Sequence, residues 1–94
     1  MTVARFPVYT CAHKHTFKYL LEQASVRAAW EQLEQRYGSI EVVMPFGIRE
    51  IHAARLLFRA APAGNPITVI RRRGCSTTDI SELHALLGYR GESD

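Results

Sequence analysis

Residues 25–38, SVRAAWEQLEQRYG, restrict the possible folds more than any other stretch. Val26, Trp30, Leu33 and Tyr37 recur at intervals of four, three and four, which is one stripe of an α-helix. Arg27, Glu31, Glu34 and Gln35 fall outside that stripe, and Arg27 and Glu31 stand one turn apart, where they can pair. Ser25 can cap the start, and Gly38 can supply a left-handed stop. A helix with a single apolar stripe has to bury it. The β-branched and aromatic residues elsewhere in the chain make a sheet the expected partner.

Three other stretches read as strands. Residues 3–10 alternate loosely and include Val3, Phe6, Val8, Tyr9 and Thr10, with Pro7 pushing that strand toward a sheet edge. SIEVVMPFG reads as a short buried strand ended by Pro45 and Gly47. After the turn composition of AGNP, ITVIRRR reads as a strand with Ile67, Val69, Arg71 and Arg73 on one face. A closing helix is expected from Asp79, with Glu82 three residues on as a capping pair, a stripe of Ile80, Leu83 and Leu87, and Gly88 as its end.

Two segments stay open between helix and strand. In residues 15–23, Phe17, Tyr19 and Leu21 alternate as in a strand, but the helical spacing of Phe17, Leu20 and Leu21 tips the expectation slightly to a helix. In residues 48–60 a helix would force Arg55 into the stripe of Ile48, Ile51 and Phe58, and a hairpin would have to turn near Ala53. The expected architecture is α+β: a small single domain over residues 1–94, with three to four short strands and two to three amphipathic helices packed on one face. Residues 91–94 are expected to form a frayed tail.

Ninety-four residues leave no room for two cores. An apolar share of 47% and a charged share of 22% are those of an ordinary globular chain rather than a disordered one. No apolar run approaches the ~20 residues of a membrane span. The first ten residues lack the regions of a signal peptide. Cys11 and Cys75 are far apart and in no C-x-x-C arrangement. A reduced, cytoplasmic protein without membrane attachment or cofactor is the expectation.

The net charge of +3 favours anionic partners only mildly, but it is concentrated. Arg71, Arg72 and Arg73 are adjacent, and every acid of the last thirty residues follows them. With Arg49, Arg55 and Arg59 they are the candidate contacts for nucleic acid or a nucleoprotein complex. A phosphate site at the start of the closing helix is not expected, because Asp79 occupies that position and Glu82 adds repulsion. Cys11, His13 and His15 alternate in CAHKH and are weak candidates for a metal site, since a fourth ligand is missing from the motif. Tyr9, Tyr19 and Tyr89 are possible base-stacking groups, whereas Trp30 belongs to the core. No G-x-S-x-G, P-loop or G-x-G-x-x-G is present, and Glu22, Glu41 and Glu50 form no catalytic pair in sequence.

The succession FKYLLEQ, VRAAWEQLEQRYG, REIHAARLLFRAA and NPITVI is similar to the pattern of RelE/ParE-type toxins. The resemblance implies a strand, two helices, a three-stranded meander and a final helix, with 55–58 and 67–70 as neighbouring strands. It also implies a ribonuclease or gyrase poison. The chain departs from that pattern in its short link between the two strands and in having only Lys14 and Lys18 as lysines. No catalytic residue carries over. The expected function is therefore a non-enzymatic binding module that docks on an anionic or nucleoprotein partner. A protein-binding inhibitor or adaptor, such as a mobile-element or phage accessory protein acting on a host complex, is the alternative, and a toxin of this type the third possibility.

Overall fold

Both open segments are strands. The computed structural model describes residues 3–8 and 16–90, with Pro7 and Val8 as backbone only. Its elements are β1 (Val3–Val8), β2 (Thr16–Leu21), α1 (Val26–Tyr37), β3 (Glu41–Val43), β4 (Ile48–His52), β5 (Leu56–Ala60), β6 (Ile67–Arg71) and α2 (Thr77–Leu87). The strands form one antiparallel sheet in the order β1-β2-β6-β5-β4-β3. The class is α+β, but with six strands rather than three to four and with two α-helices.

The alternation of Phe17, Tyr19 and Leu21 decides residues 16–21. Tyr19 and Leu21 enter the core while Leu20 stays exposed, which a helical stripe of Phe17, Leu20 and Leu21 does not allow. One strand and two helices before the meander, as the toxin pattern implies, are thus replaced by two strands and one helix. Four consecutive strands follow, and β5 and β6 are neighbours.

Residues 48–60 form the β4–β5 hairpin. Its turn contains no residue suited to a tight turn, and distant groups hold it instead. Ala53 N–H donates to the Leu56 carbonyl at 3.0 Å. Arg72 donates from its backbone N–H to the Arg55 carbonyl at 2.9 Å and from Nη1 to the Ala53 carbonyl at 3.0 Å. The turn chemistry is supplied by the end of β6.

The core lies between one sheet face and both helices. Cross-strand partners Ile51, Phe58 and Val69 point into it, as do Tyr19 and Ile67. Val26, Trp30 and Leu33 of α1 and Ile80, Leu83 and Leu87 of α2 complete it. The Trp30 indole donates to the Gly64 carbonyl at 2.8 Å, and Tyr37 packs on Phe58 with ring centroids 4.8 Å apart. Asn65 imitates a strand residue, because its side chain both accepts from Leu21 N–H at 3.0 Å and donates to Leu21 C=O at 2.9 Å.

Four details differ from the sequence expectations. Ser25 makes no side-chain cap, since a 3₁₀ turn over Gln23–Ser25 leads into α1. Gly38 ends α1 at φ 134°, ψ 175°, outside the left-handed helical region. β3 is an exposed edge strand, not a buried one. Finally, α2 is capped by Ser76 with Asp79 as its third residue. Asp79 N–H donates to Ser76 Oγ at 3.3 Å, and Ser76 N–H donates to the Asp79 carboxylate at 2.9 Å. The reciprocal pair satisfies two helix-end donors that a cap at Asp79 would leave unmet. Gly88 closes α2 in the left-handed conformation, as expected, and β1, the strand with Pro7, lies at a sheet edge.

Candidate functional site

β6 carries its buried residues Ile67 and Val69 into the core, and Arg71 follows on the same side at the end of the strand. There the three neighbouring arginines separate. The Arg71 guanidinium lies 5.1 Å from the centroid of the Phe17 ring. Arg72 turns toward the β4–β5 hairpin and clamps it. The strand stops at Arg71, so Arg73 does not share its strand face. Arg73 is exposed at the turn that Cys75 N–H closes onto the Arg72 carbonyl at 3.1 Å. Arg71, Arg72, Arg73 and Cys75 together line a shallow concavity.

A fourth arginine reaches the same place from a remote part of the chain. Antiparallel pairing of β1 with β2 and of β2 with β6 brings Arg5 to the Phe17 ring at 4.6 Å and to the Tyr89 ring at 5.2 Å. Two guanidinium groups thus share one aromatic ring, each contact contributing about 0.5–1 kcal/mol where water reaches it. Nη1 of Arg5 is buried without a hydrogen-bond partner. The sequence reading missed Arg5. The signal available for it was its place in the alternation of β1, two residues after Val3.

The other candidates are distributed differently. Arg55 lies in the hairpin turn at this end and meets Asp79 at 3.3 Å. Arg59 stands on the uncovered sheet face, where its Nε donates to Glu50 at 2.8 Å. Arg49 is paired with Ala60 across β4 and β5, near the opposite end of the strands from the Leu56–Arg71 pair. The six candidate arginines therefore do not form one patch. Arg59 lies three positions along β5 from Leu56, roughly 10 Å along the strand.

The start of α2 is closed to an anion. The Asp79 carboxylate takes the Ser76 N–H, and that hydrogen bond is the main reason its pKa lies below the ordinary value, with the Ser76 hydroxyl and Arg55 adding to it. Among the described residues Arg27, Arg36, Arg55 and Arg59 each meet a carboxylate, whereas Arg5, Arg72 and Arg73 form no ion pair. Lys18, Arg49 and Arg90 also meet no carboxylate among the described residues, so Arg5, Arg72 and Arg73 are the part of this charge that gathers at the β6 end.

The tyrosines expected as stacking groups do not form a platform. Tyr19 is buried and its hydroxyl shares a 2.8 Å hydrogen bond with buried His84 Nε2. Burial pushes the Tyr19 pKa up, against the opposing pull of the Arg5 guanidinium, so the hydroxyl keeps its proton for that bond. Tyr89 packs edge-on against His84 and Tyr19. Tyr9 and the alternating Cys11, His13 and His15 lie outside the described residues. Among the described residues, no group of three or more His, Cys, Asp or Glu side chains could hold a metal ion, and no helix is long and apolar enough to cross a membrane.

No protein-family model matches the chain, and neither a curated protein nor a solved structure matches it.

Proposed function

We propose that this protein is a small binding module that docks on an anionic partner, a nucleic acid or nucleoprotein, through the β6 end of its sheet. The observation that carries the reading is the convergence of Arg5, Arg71, Arg72 and Arg73 there, with Arg5, Arg72 and Arg73 in no ion pair among the described residues, whereas Arg27, Arg36 and Arg59 elsewhere pair with acids. Such a cluster recognises phosphate as charge. No helix or β-ribbon projects from it to read base edges, so binding is expected to be sequence-tolerant and strongly salt-dependent.

Arg73 gives the cleanest test, because it is exposed and its replacement leaves both the Phe17 stack and the hairpin clamp in place. Arg73→Ala is expected to keep stability within about 0.5 kcal/mol. In titrations of short RNA and DNA at several salt concentrations it should weaken binding and flatten the salt dependence by roughly one unit of slope. Indistinguishable binding curves for the two proteins would refute this reading. A second reading, a protein-docking adaptor, draws on the β3–β4 hairpin, whose tip leaves Met44 72% and Phe46 76% exposed.

A further inference from the structure

We propose that two copies of this chain pair edge to edge through β3, joining their sheets into one. Residues 42–46 are apolar and exposed throughout, with Val42 at 58%, Val43 at 43%, Met44 at 72% and Phe46 at 76%. Among the described residues β3 ends the strand order, so its outer main-chain groups face no neighbouring strand. An exposed apolar edge is a template for another strand.

The occupant follows from register. A two-fold axis perpendicular to the sheet keeps the helix side of both copies on one side, so directly opposite residues must share a face. Only pairings centred on a residue satisfy that, and β3 offers three. A pairing centred on Glu41 sets the two carboxylates against each other, which is penalised. A pairing centred on Val43 brings Pro45, which has no N–H, opposite Glu41. Centred on Val42, the pairing sets Val42 on Val42, Glu41 on Val43 twice and Ile40 on Met44 twice. No like charges are then directly opposed. The two Glu41 side chains stand diagonally, about 7–8 Å apart, and each meets His52 of its own copy at 3.5 Å.

The same register gives Met44 a place to go. Ile40 packs against the core and Val42 is the cross-strand partner of Arg49, both on the helix side of the sheet, and the alternation carries Met44 to that side as well. There a cleft opens between α1 and the sheet edge, with Val26, Trp30, Ile40 and Arg49 in its lining. Met44 of one copy, set beside Ile40 of the other, reaches the mouth of that cleft. Each copy carries both the projecting side chain and the cleft that receives it, placed symmetrically about Val42. That is what an isologous dimer requires.

Size sets the expected strength. Four side chains at these exposures offer roughly 400 Å² of apolar surface per copy. A standard interface takes ~800 Å² per partner, so the dimer is expected to be weak and concentration-dependent. The pairing does not depend on anion docking, because β4 and β5 lie between this edge and β6.

Sedimentation equilibrium from low to high micromolar concentration, without nucleic acid, should show a monomer–dimer equilibrium. Val42→Lys, which sets charge on charge at the axis, should raise the Kd on the order of tenfold or more. Met44→Ser should weaken pairing by a smaller factor. Phe6→Ser, on the opposite edge strand, should leave it unchanged. Circular dichroism melts confirm that each variant is folded. Cysteine substitution tests the register. Val42→Cys brings two thiols to directly opposite positions, about 4.5–5.5 Å apart at Cα, within reach of a disulfide. Mild oxidation should then link two chains through position 42, located by peptide mass apart from Cys11 and Cys75. Glu41→Cys, whose two copies stand diagonally, should cross-link far more slowly. A protein that stays monomeric throughout, a dimer indifferent to Val42→Lys and Met44→Ser, or cross-linking as fast at position 41 as at 42 overturns the proposal. So does a dimer lost in Phe6→Ser alone, which would place the contact at β1.

Discussion

Gly64→Ala is expected to be among the most damaging single-methyl additions to this chain. Gly64 is buried in the β5–β6 link at φ +78°, and its carbonyl accepts the Trp30 indole N–H at 2.8 Å. A Cβ there would lie 2.9 Å from Trp30 Nε1, 3.0 Å from Val26 Cγ1 and 3.1 Å from Trp30 Cδ1. Two costs combine. A non-glycine residue in the left-handed region costs about 1–2 kcal/mol. Forcing a methyl into packed surroundings costs about 1–3 kcal/mol more, because Trp30 is 2% exposed and has no free direction in which to move. The sum, about 2–5 kcal/mol, is a large share of the roughly 5–14 kcal/mol that a chain of this length can hold. Urea unfolding should show a lower midpoint at unchanged slope, and the melting temperature should fall by about 10 °C or more. The fluorescence of Trp30, the single tryptophan, reports the transition from beside the substituted residue. A double-mutant cycle with Trp30→Phe, followed by circular dichroism, isolates the steric part. Without the indole edge, adding the methyl should cost about 1 kcal/mol less. A loss below about 1 kcal/mol for Gly64→Ala, or strict additivity in the cycle, would refute the argument.

Two further outcomes are expected. Asn65→Ala should destabilise the protein by about 1–3 kcal/mol, measured by urea unfolding, because it strands the Leu21 N–H and C=O that the amide now satisfies. A change near zero would mean that water replaces the amide. Glu50 has its pKa held below the ordinary 4.5, chiefly by the hydrogen bond from His52 and then by Arg59, in opposition to burial. A carboxyl lowered in this way contributes stability above its unfolded pKa and loses it as pH falls through the folded one. Glu41 also faces His52, at 3.5 Å. Melting temperatures followed downward from neutral pH should therefore drop less steeply below about pH 4.5 in Glu50→Gln than in the wild type. Parallel curves would refute this assignment.

Much of the fold was legible where a residue's neighbours in sequence also decide its surroundings. The α1 stripe, the β6 residues Ile67 and Val69, the α2 stripe and the edge position of β1 all follow from local period or from one proline. The two ambiguous segments were illegible for a physical reason. Phe17, Tyr19, Leu20 and Leu21 fit both periods over six residues, and only the pairing of β2 with β1 and β6 selects between them. The β4–β5 hairpin has no turn signature, because its turn is held by Arg72, nineteen positions after Ala53. Ser76 was passed over as the α2 cap because Asp79 with Glu82 offers the same three-residue spacing, displaced by three.

The triple arginine shows why a site is harder to read than a fold. Adjacent identical side chains invite a single role, yet each of these sits in a different environment. Arg71 is the last core-facing position of β6 and rests on Phe17, whose other cation, Arg5, is sixty-six positions earlier. Arg72 supplies two of the hydrogen bonds that hold a neighbouring hairpin. Arg73 alone combines exposure with freedom from both tasks. Alanine at all three positions would therefore weaken the hairpin and the ring stack as well as the charge, and loss of binding in that variant would not separate contact from stability. Arg73→Ala separates them, and Arg72→Lys adds the converse control. A lysine keeps the charge but cannot reproduce the planar guanidinium donor aimed at Ala53. It should lower stability by about 0.5–1.5 kcal/mol, the ordinary worth of one hydrogen bond, while leaving the salt dependence of binding close to that of the wild type. Should Arg72→Lys lose binding as far as Arg73→Ala does, with no loss of stability, the division of roles between these two neighbours is wrong.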